Sequence, residues 1–395
     1  MQRRQFLATT LKASSALAAS VSSMAIRNGH VQAASNPTGD GRKIKYVGWQ
    51  IGVTYQAPDP HGLSRDYLLR LLDEMAANRM NLLSLMMISY GVFDAVHDGY
   101  CWPVRNEKLR HYRDASARNA EPSTEYVQEV IKAAADRGIA VQLFMNCGIW
   151  NAEKIRHGYP DSLQQQTRKE AEQNLPGSWV HCFDSPGGWQ AALDEVADLL
   201  GFYDSPNVTS YGLERISYVG PDWCYCKATQ DLFHRQTGES LLKASPERIE
   251  AWKTENVTGY LRSYAEHVRR LRPGMGVWLH TQCAPGWGHD PKRLAAAGVD
   301  GLLPHYVQFR EDETQVHRRL EYLAPNPCVL HFCVRDQAPK NYPIWIKTPE
   351  IIRETIDWAL RYPGDNLAGL LFFNETATSA RNKAAVYEQI KRFAW

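Results

Sequence analysis

The chain is expected to fold as a single-domain (β/α)8 barrel. Two observations point there. Eight short apolar runs rich in β-formers recur along it, and a helix-like stretch follows each of them. The longest connections, moreover, come after runs two, three and four, on the side where barrel enzymes carry their loops. The runs are Tyr46–Val53, Asn81–Ser89, Ile139–Asn146, Tyr211–Val219, Gly276–Thr281, Val299–Tyr306, Cys328–Val334 and Leu367–Phe373. Most are too short for core helices and apolar on both faces, as parallel strands buried on both sides must be.

The helices between them carry end signals. Ser64 is placed to cap Arg65–Asn78, and Ser123 to cap Thr124–Arg137 before the stop at Gly138. Ser245-Pro246-Glu247 opens a helix to Leu271, closed by Arg272-Pro273-Gly274. Pro349-Glu350 opens another to Arg361, and a last helix starts near Thr378. Connections 90–122, 147–186 and 220–244 are the loops expected to wall a cleft at the C-terminal strand ends.

The N-terminus reads as an address. Arg3-Arg4-Gln5-Phe6-Leu7 precedes a Ser/Ala-rich apolar stretch to about Ala25, which resembles a bacterial twin-arginine export signal. The expected organisation is a leader over 1–33, a polar linker over 34–43 and the barrel over 44–395. A periplasmic or extracellular location follows from that reading. The formal net charge is +2, and residues 1–33 carry four cations and no acid, so the remainder sits near −2. Such a balance offers no electrostatic case for nucleic acid or an anionic membrane. Eight cysteines in 395 residues are too sparse for a disulfide-built scaffold. Oligomeric state is open.

Polar and aromatic groups gather at the strand ends. Trp49, Tyr90, Asn146, Trp150, Trp223, His280, Trp287, His305, Tyr306, Arg335 and Asn374 all fall at or just past them. Amides and imidazoles that hydrogen-bond hydroxyls, beside indoles that stack on C–H faces, suit a carbohydrate ligand. No cofactor is expected. His280, His305 and His331 on three successive strands keep a metal-dependent hydrolase or isomerase as an alternative.

The stretch Trp179–Gly238 adds a resemblance. It contains SWVHCFDSPGGW, then ERISYVGPDWCYC, then DLFHRQTG. This pattern resembles glycoside-hydrolase-like barrels related to the α-L-fucosidase and β-galactosidase families. There a Trp-x-x-Cys-x-(Asn/Asp)-x-Pro segment opens the third helix, and a Cys-Tyr-Cys-x-x-Cys segment follows the fourth strand. The resemblance implies a glycan substrate and carboxylate acid/base catalysis. The chain departs from the pattern twice. Val219 stands where the fourth strand would end in an acid, and Thr229 where the third cysteine would fall. No metal centre is therefore expected at Cys224 and Cys226; they stand as loop thiols, or one pairs with Cys182 or Cys101.

Glycosidic hydrolysis ordinarily uses two carboxyl groups across the scissile bond. Asp222 after strand 4 and Glu375 after strand 8 are the expected pair, with Asp336 after strand 7 in reserve. Glu214 lies inside the fourth run, facing either the barrel interior or the helices. A carbohydrate-binding barrel without turnover is the main alternative.

Overall fold

A computed structural model of the chain describes residues 44–53, 63–89, 99–115, 117–146, 152–177, 180–214, 216–218, 220–280, 286–306, 312–336, 346–373 and 375–392. Among them, parallel strands β1 (Tyr46–Gly52), β2 (Leu82–Met86), β3 (Ala140–Asn146), β4 (Val208–Glu214), β5 (Gly276–His280), β6 (Gly301–Leu302 and His305–Tyr306), β7 (Cys328–Cys333) and β8 (Leu367–Phe373) pair in chain order. β8 returns to β1 through Tyr46↔Gly369 to Trp49↔Phe372, and the sheet closes. This is the expected (β/α)8 barrel.

Helices α1 (Arg65–Ala77), α2 (Val127–Ala135), α3 (Pro186–Phe202), α4 (Lys227–Thr237), α5 (Pro246–Leu271), α6 (Pro291–Leu294), α7 (Glu313–Leu323), α8 (Pro349–Arg361) and α9 (Ala380–Ile390) fill the intervals. None of the described helices is long and apolar enough to cross a membrane. Ser64 and Ser245 cap as expected, accepting from Tyr67 N at 3.2 Å and Arg248 N at 3.3 Å. Ser123 does not. α2 begins three residues later than expected, and the Glu125 carboxylate takes up the Val127 N–H at 2.6 Å.

Side chains of alternate strand residues fill the barrel. On one level four polar residues join in sequence. Gln50 Nε2 donates to Ser84 Oγ (3.3 Å), Ser84 Oγ to Gln142 Oε1 (2.9 Å), and Gln142 Nε2 to Ser210 Oγ (3.3 Å). Each pair is also a register pair on adjacent strands, so these buried groups satisfy one another without leaving their layer. Lower down, Trp278 meets Tyr46 edge-on at 5.2 Å. A Cβ on Gly301 would fall 2.4 Å from the Trp278 ring, so only glycine leaves room for that indole.

Two registers differ from expectation. The fourth strand runs Val208–Glu214 rather than 211–219, because the segment after Glu214 turns out of the sheet. Trp49, expected in the ligand cavity, points the other way. Its ring packs on Phe372 at 5.7 Å and Tyr387 at 6.3 Å, and its Nε1 donates to the Tyr387 hydroxyl of α9 at 3.3 Å. The inward residue is its neighbour Gln50, and a one-residue change of parity reverses a side chain.

Candidate active site

Shortening β4 puts an acid at its C-terminal end. Glu214 is paired in register with His280 of β5, and its side chain is 14% exposed. Glu214 Oε2 lies 4.0 Å from His280 Nδ1. The other nitrogen, Nε2, meets His331 Nδ1 at 3.1 Å. A nitrogen–nitrogen hydrogen bond carries one proton, so the two rings are locked into complementary roles. Phe144 stands edge-on to His280 at 5.0 Å, and Phe373 packs on His331 at 5.1 Å. Beneath them Gly212 makes space, since a Cβ there would lie 2.7 Å from the Phe144 ring. The upper barrel thus presents a carboxylate and two imidazoles between two aromatic faces. Such a set can bind hydroxyls and move a proton at its edge.

The expected carboxylates sit elsewhere. Glu375 is 1% exposed at the start of a 3-10 turn, Glu375–Ala377. Its two oxygens accept from the Tyr67 hydroxyl of α1 and from Lys383 Nζ of α9. Lys383 also lies 3.9 Å from Glu74 of α1. Glu375 is therefore tied into the helix layer. Asp336 accepts from the backbone N–H of Ser379 at 2.9 Å and from its hydroxyl, at the first turn of α9. Burial alone would raise its pKa, but the bonds from Ser379 and Arg381 bring it below the usual value. Asp222 is exposed, facing the charges of Lys253 and Arg168. Asp222 thus lies on the loop after β4, and Glu375 on the 3-10 turn after β8.

Of the expected ligand-contacting residues, His280 reaches the upper barrel as anticipated by its strand position. Arg335 is wholly buried just past β7, its carbonyl accepting from Lys347 N at 3.0 Å. Trp223 and Trp287 are half-buried in loops after β4 and β5, with Trp287 O accepting from Tyr218 N at 3.1 Å. Tyr90, Trp150 and Asn374 lie outside the described residues, as do the side chains of Asn146, His305 and Tyr306. The backbone register pairs His305 with His331 and Asn146 with Glu214.

A second polar cluster lies in the wall beside this mouth. The Sγ atoms of Cys182, Cys224 and Cys226 all fall within 4.8 Å of one another, and all three residues are buried. Cys182 precedes α3, while Cys224 and Cys226 precede α4. Thr229 Oγ1, on the first turn of α4, is 3.4 Å from the Sγ of both Cys182 and Cys226, and donates to Asp184 Oδ2 at 2.7 Å. Asp184 also accepts from Asn256 (2.8 Å) and the Tyr218 hydroxyl (3.1 Å), and burial raises its pKa to about 6. Hydrogen bonds from Cys182 and Cys224 hold the Cys226 thiol well below its ordinary value, whereas burial pushes the other two up. Cys182, the cysteine of the Trp-x-x-Cys segment, thus joins the two thiols of the Cys-Tyr-Cys segment. Three sulfurs at these separations fit a soft divalent cation.

No protein-family model matches the chain, and no curated protein sequence matches it. Solved structures do. The PgaB (BpsB) glycoside hydrolase domain from Bordetella bronchiseptica superposes with a TM-score of 0.64 at 14% identity, over 88% of this chain and 99% of that one. A β-galactosidase from Rahnella sp. R3 gives 0.59 at 14% identity, over 88% of this chain and 56% of its own. A GH20 exo-β-N-acetylglucosaminidase from Vibrio harveyi gives 0.53 at 12% identity, over 90% and 56%. The chain spans just over half the length of these last two. At such identities the likeness concerns the fold, and the fold is one these glycoside hydrolases share.

Proposed function

We propose that the chain is a glycan-processing barrel of the glycoside hydrolase kind, with Glu214 as its proton-transferring carboxyl. The observation that carries this reading is the line Glu214–His280–His331 at the C-terminal end of the barrel, where enzymes of this fold hold their substrates. His280 and His331 would orient the carboxyl and bind sugar hydroxyls. The glycoside hydrolase neighbours support a carbohydrate substrate. The test is a screen of oligosaccharides for hydrolysis and for binding by calorimetry, with wild type and Glu214→Gln compared. Loss of turnover with binding retained is expected. Full turnover in Glu214→Gln would remove Glu214 from the reaction.

A second reading, a barrel that binds glycans without cleaving them, has one observation in its favour. Among the described residues, Glu375 and Asp336 are engaged by donors of α9 and its start, and Asp222 is exposed. Binding without any turnover across the screen would favour it. The twin-arginine leader and export remain part of the proposal. Arg3→Lys with Arg4→Lys should hold the precursor in the cytoplasm, because that route reads the guanidinium pair; normal export of the double variant would point to another route.

A further inference from the structure

We propose that His331 is a positioning residue for Glu214: its Nδ1–H donates to His280 Nε2, which fixes the His280 proton on Nδ1, the nitrogen that faces the Glu214 carboxylate. The proposal rests on Glu214 being the working carboxyl of the barrel. It goes further in giving the line of three groups a direction, from His331 through His280 to Glu214.

The fold sets the contact. Strands β5 and β7 are not neighbours, since β6 lies between them. Yet His280 and His331 meet at 3.1 Å, with ring centroids 4.9 Å apart and planes at 77°. In a barrel of this kind, side chains of alternate strands share a layer of the interior. Phe144 of β3, His280 of β5 and His331 of β7 form such a layer, with Phe144 edge-on to His280 at 5.0 Å. Both imidazoles are buried, so leaving the bond unmade would strand polar atoms away from water.

A neutral imidazole holds one proton, and the bond between the rings uses one. Two arrangements are open. In the first, His280 Nε2–H donates to His331. His280 Nδ1 is then a bare lone pair 4.0 Å from Glu214 Oε2, and the two repel. In the second, His331 Nδ1–H donates, and the His280 proton stands on Nδ1, where it attracts the carboxylate. The sign of the Glu214 charge selects the second. A separation of 4.0 Å is longer than a hydrogen bond, but bonds between catalytic groups are often long before substrate arrives and tighten around it. No bond to carbon forms or breaks in this role. His331 acts only by deciding which nitrogen of His280 is the donor. A lone pair on His280 Nδ1 would compete with Glu214 for the proton of an incoming hydroxyl. With a donor there, Glu214 alone of the two accepts it.

The first readout is the tautomer itself. The whole chain is labelled with nitrogen-15 histidine, and its long-range proton–nitrogen spectrum is recorded at about pH 8, where an ordinary imidazole is neutral. Signals that vanish in His280→Gln and in His331→Asn assign the two rings. A protonated Nδ1 and a bare Nε2 are expected on His280. His331→Asn keeps an amide donor near the place of Nδ1, so His280 should keep that tautomer. In His331→Leu it should shift toward the Nε2–H form. On the best oligosaccharide of the hydrolysis screen, His331→Leu should lower kcat by about a hundredfold, the scale of a misplaced catalytic group, with KM within about threefold of wild type. His331→Asn should recover about a tenth or more of the wild-type kcat. The wild-type and His331→Asn spectra decide the matter even if His331→Leu fails to fold. A wild-type His280 protonated on Nε2, or a His331→Leu variant that keeps the Nδ1 tautomer, would overturn the proposal. The expected tautomers in a chain that cleaves no glycan would sink the glycan reading and leave the assignment of His331 standing.

Discussion

Glu214 and His280 occupy matched positions on neighbouring strands, with the carboxylate 4.0 Å from Nδ1 and the opposite ring nitrogen already bonded to His331. The acid and the imidazole pair are one unit. In a double-mutant cycle on glycan binding or turnover, Glu214→Gln and His280→Ala should be non-additive by about 1 kcal/mol or more. Strict additivity would show that the two groups act separately.

Glu375 is expected to matter for stability rather than chemistry. Removing its charge leaves Lys383 and Tyr67 facing a neutral group in a buried site. Breaking a buried pair typically costs about 3–5 kcal/mol. Glu375→Gln should therefore lower the thermal midpoint clearly while the folded fraction keeps its specific activity. A variant with unchanged stability and no turnover would reverse this assignment.

Asp336 holds the start of α9. Asp336→Ala should cost about 0.5–2 kcal/mol, the range seen when a helix start loses a side-chain acceptor, read as a shift in the denaturant midpoint. Ligand affinity should stay within twofold of wild type. A large loss of affinity without a loss of stability would place Asp336 at the ligand.

His289 gives the fold an acid-sensitive contact. It is buried after β5 with Nε2 against the Ile216 carbonyl at 2.8 Å, and burial lowers its pKa from 6.5 to about 4. The unfolded chain binds the proton more readily than the folded one. Its contribution is therefore fully present above pH 6.5 and is lost as pH falls toward 4, by an amount on the order of 3 kcal/mol. His289→Gln should flatten the stability curve through that window. An unaltered slope would mean that another group dominates it.

The barrel was legible because its strands are apolar on both faces and its helices carry caps; Leu367–Phe373 matches the expected eighth strand residue for residue. The same two-sided burial hid the registers. In YVGWQIG nothing in the pattern tells Trp49, which faces α9, from Gln50, which faces the barrel interior. Glu375 illustrates a second limit. Following a strand places a residue near the rim, but the tight turn at Glu375–Ala377 carries its side chain to the helices. Glu214 falls inside the run Tyr211–Val219, and nothing in that run marks the point after Glu214 where the chain leaves the sheet. Cys182 was named beside Cys224 and Cys226 only as one possible partner, and what brings the three together is the side-by-side pairing of β3 and β4, whose following loops carry them.

Trp278 lies in the hollow left by Gly301, with the Tyr46 ring set perpendicular to it. The lower interior is therefore occupied by side chains, as the core of a barrel of this kind is. On the proposed reading a glycan at Glu214 would meet that packing beneath it, and so would enter and leave on the loop side.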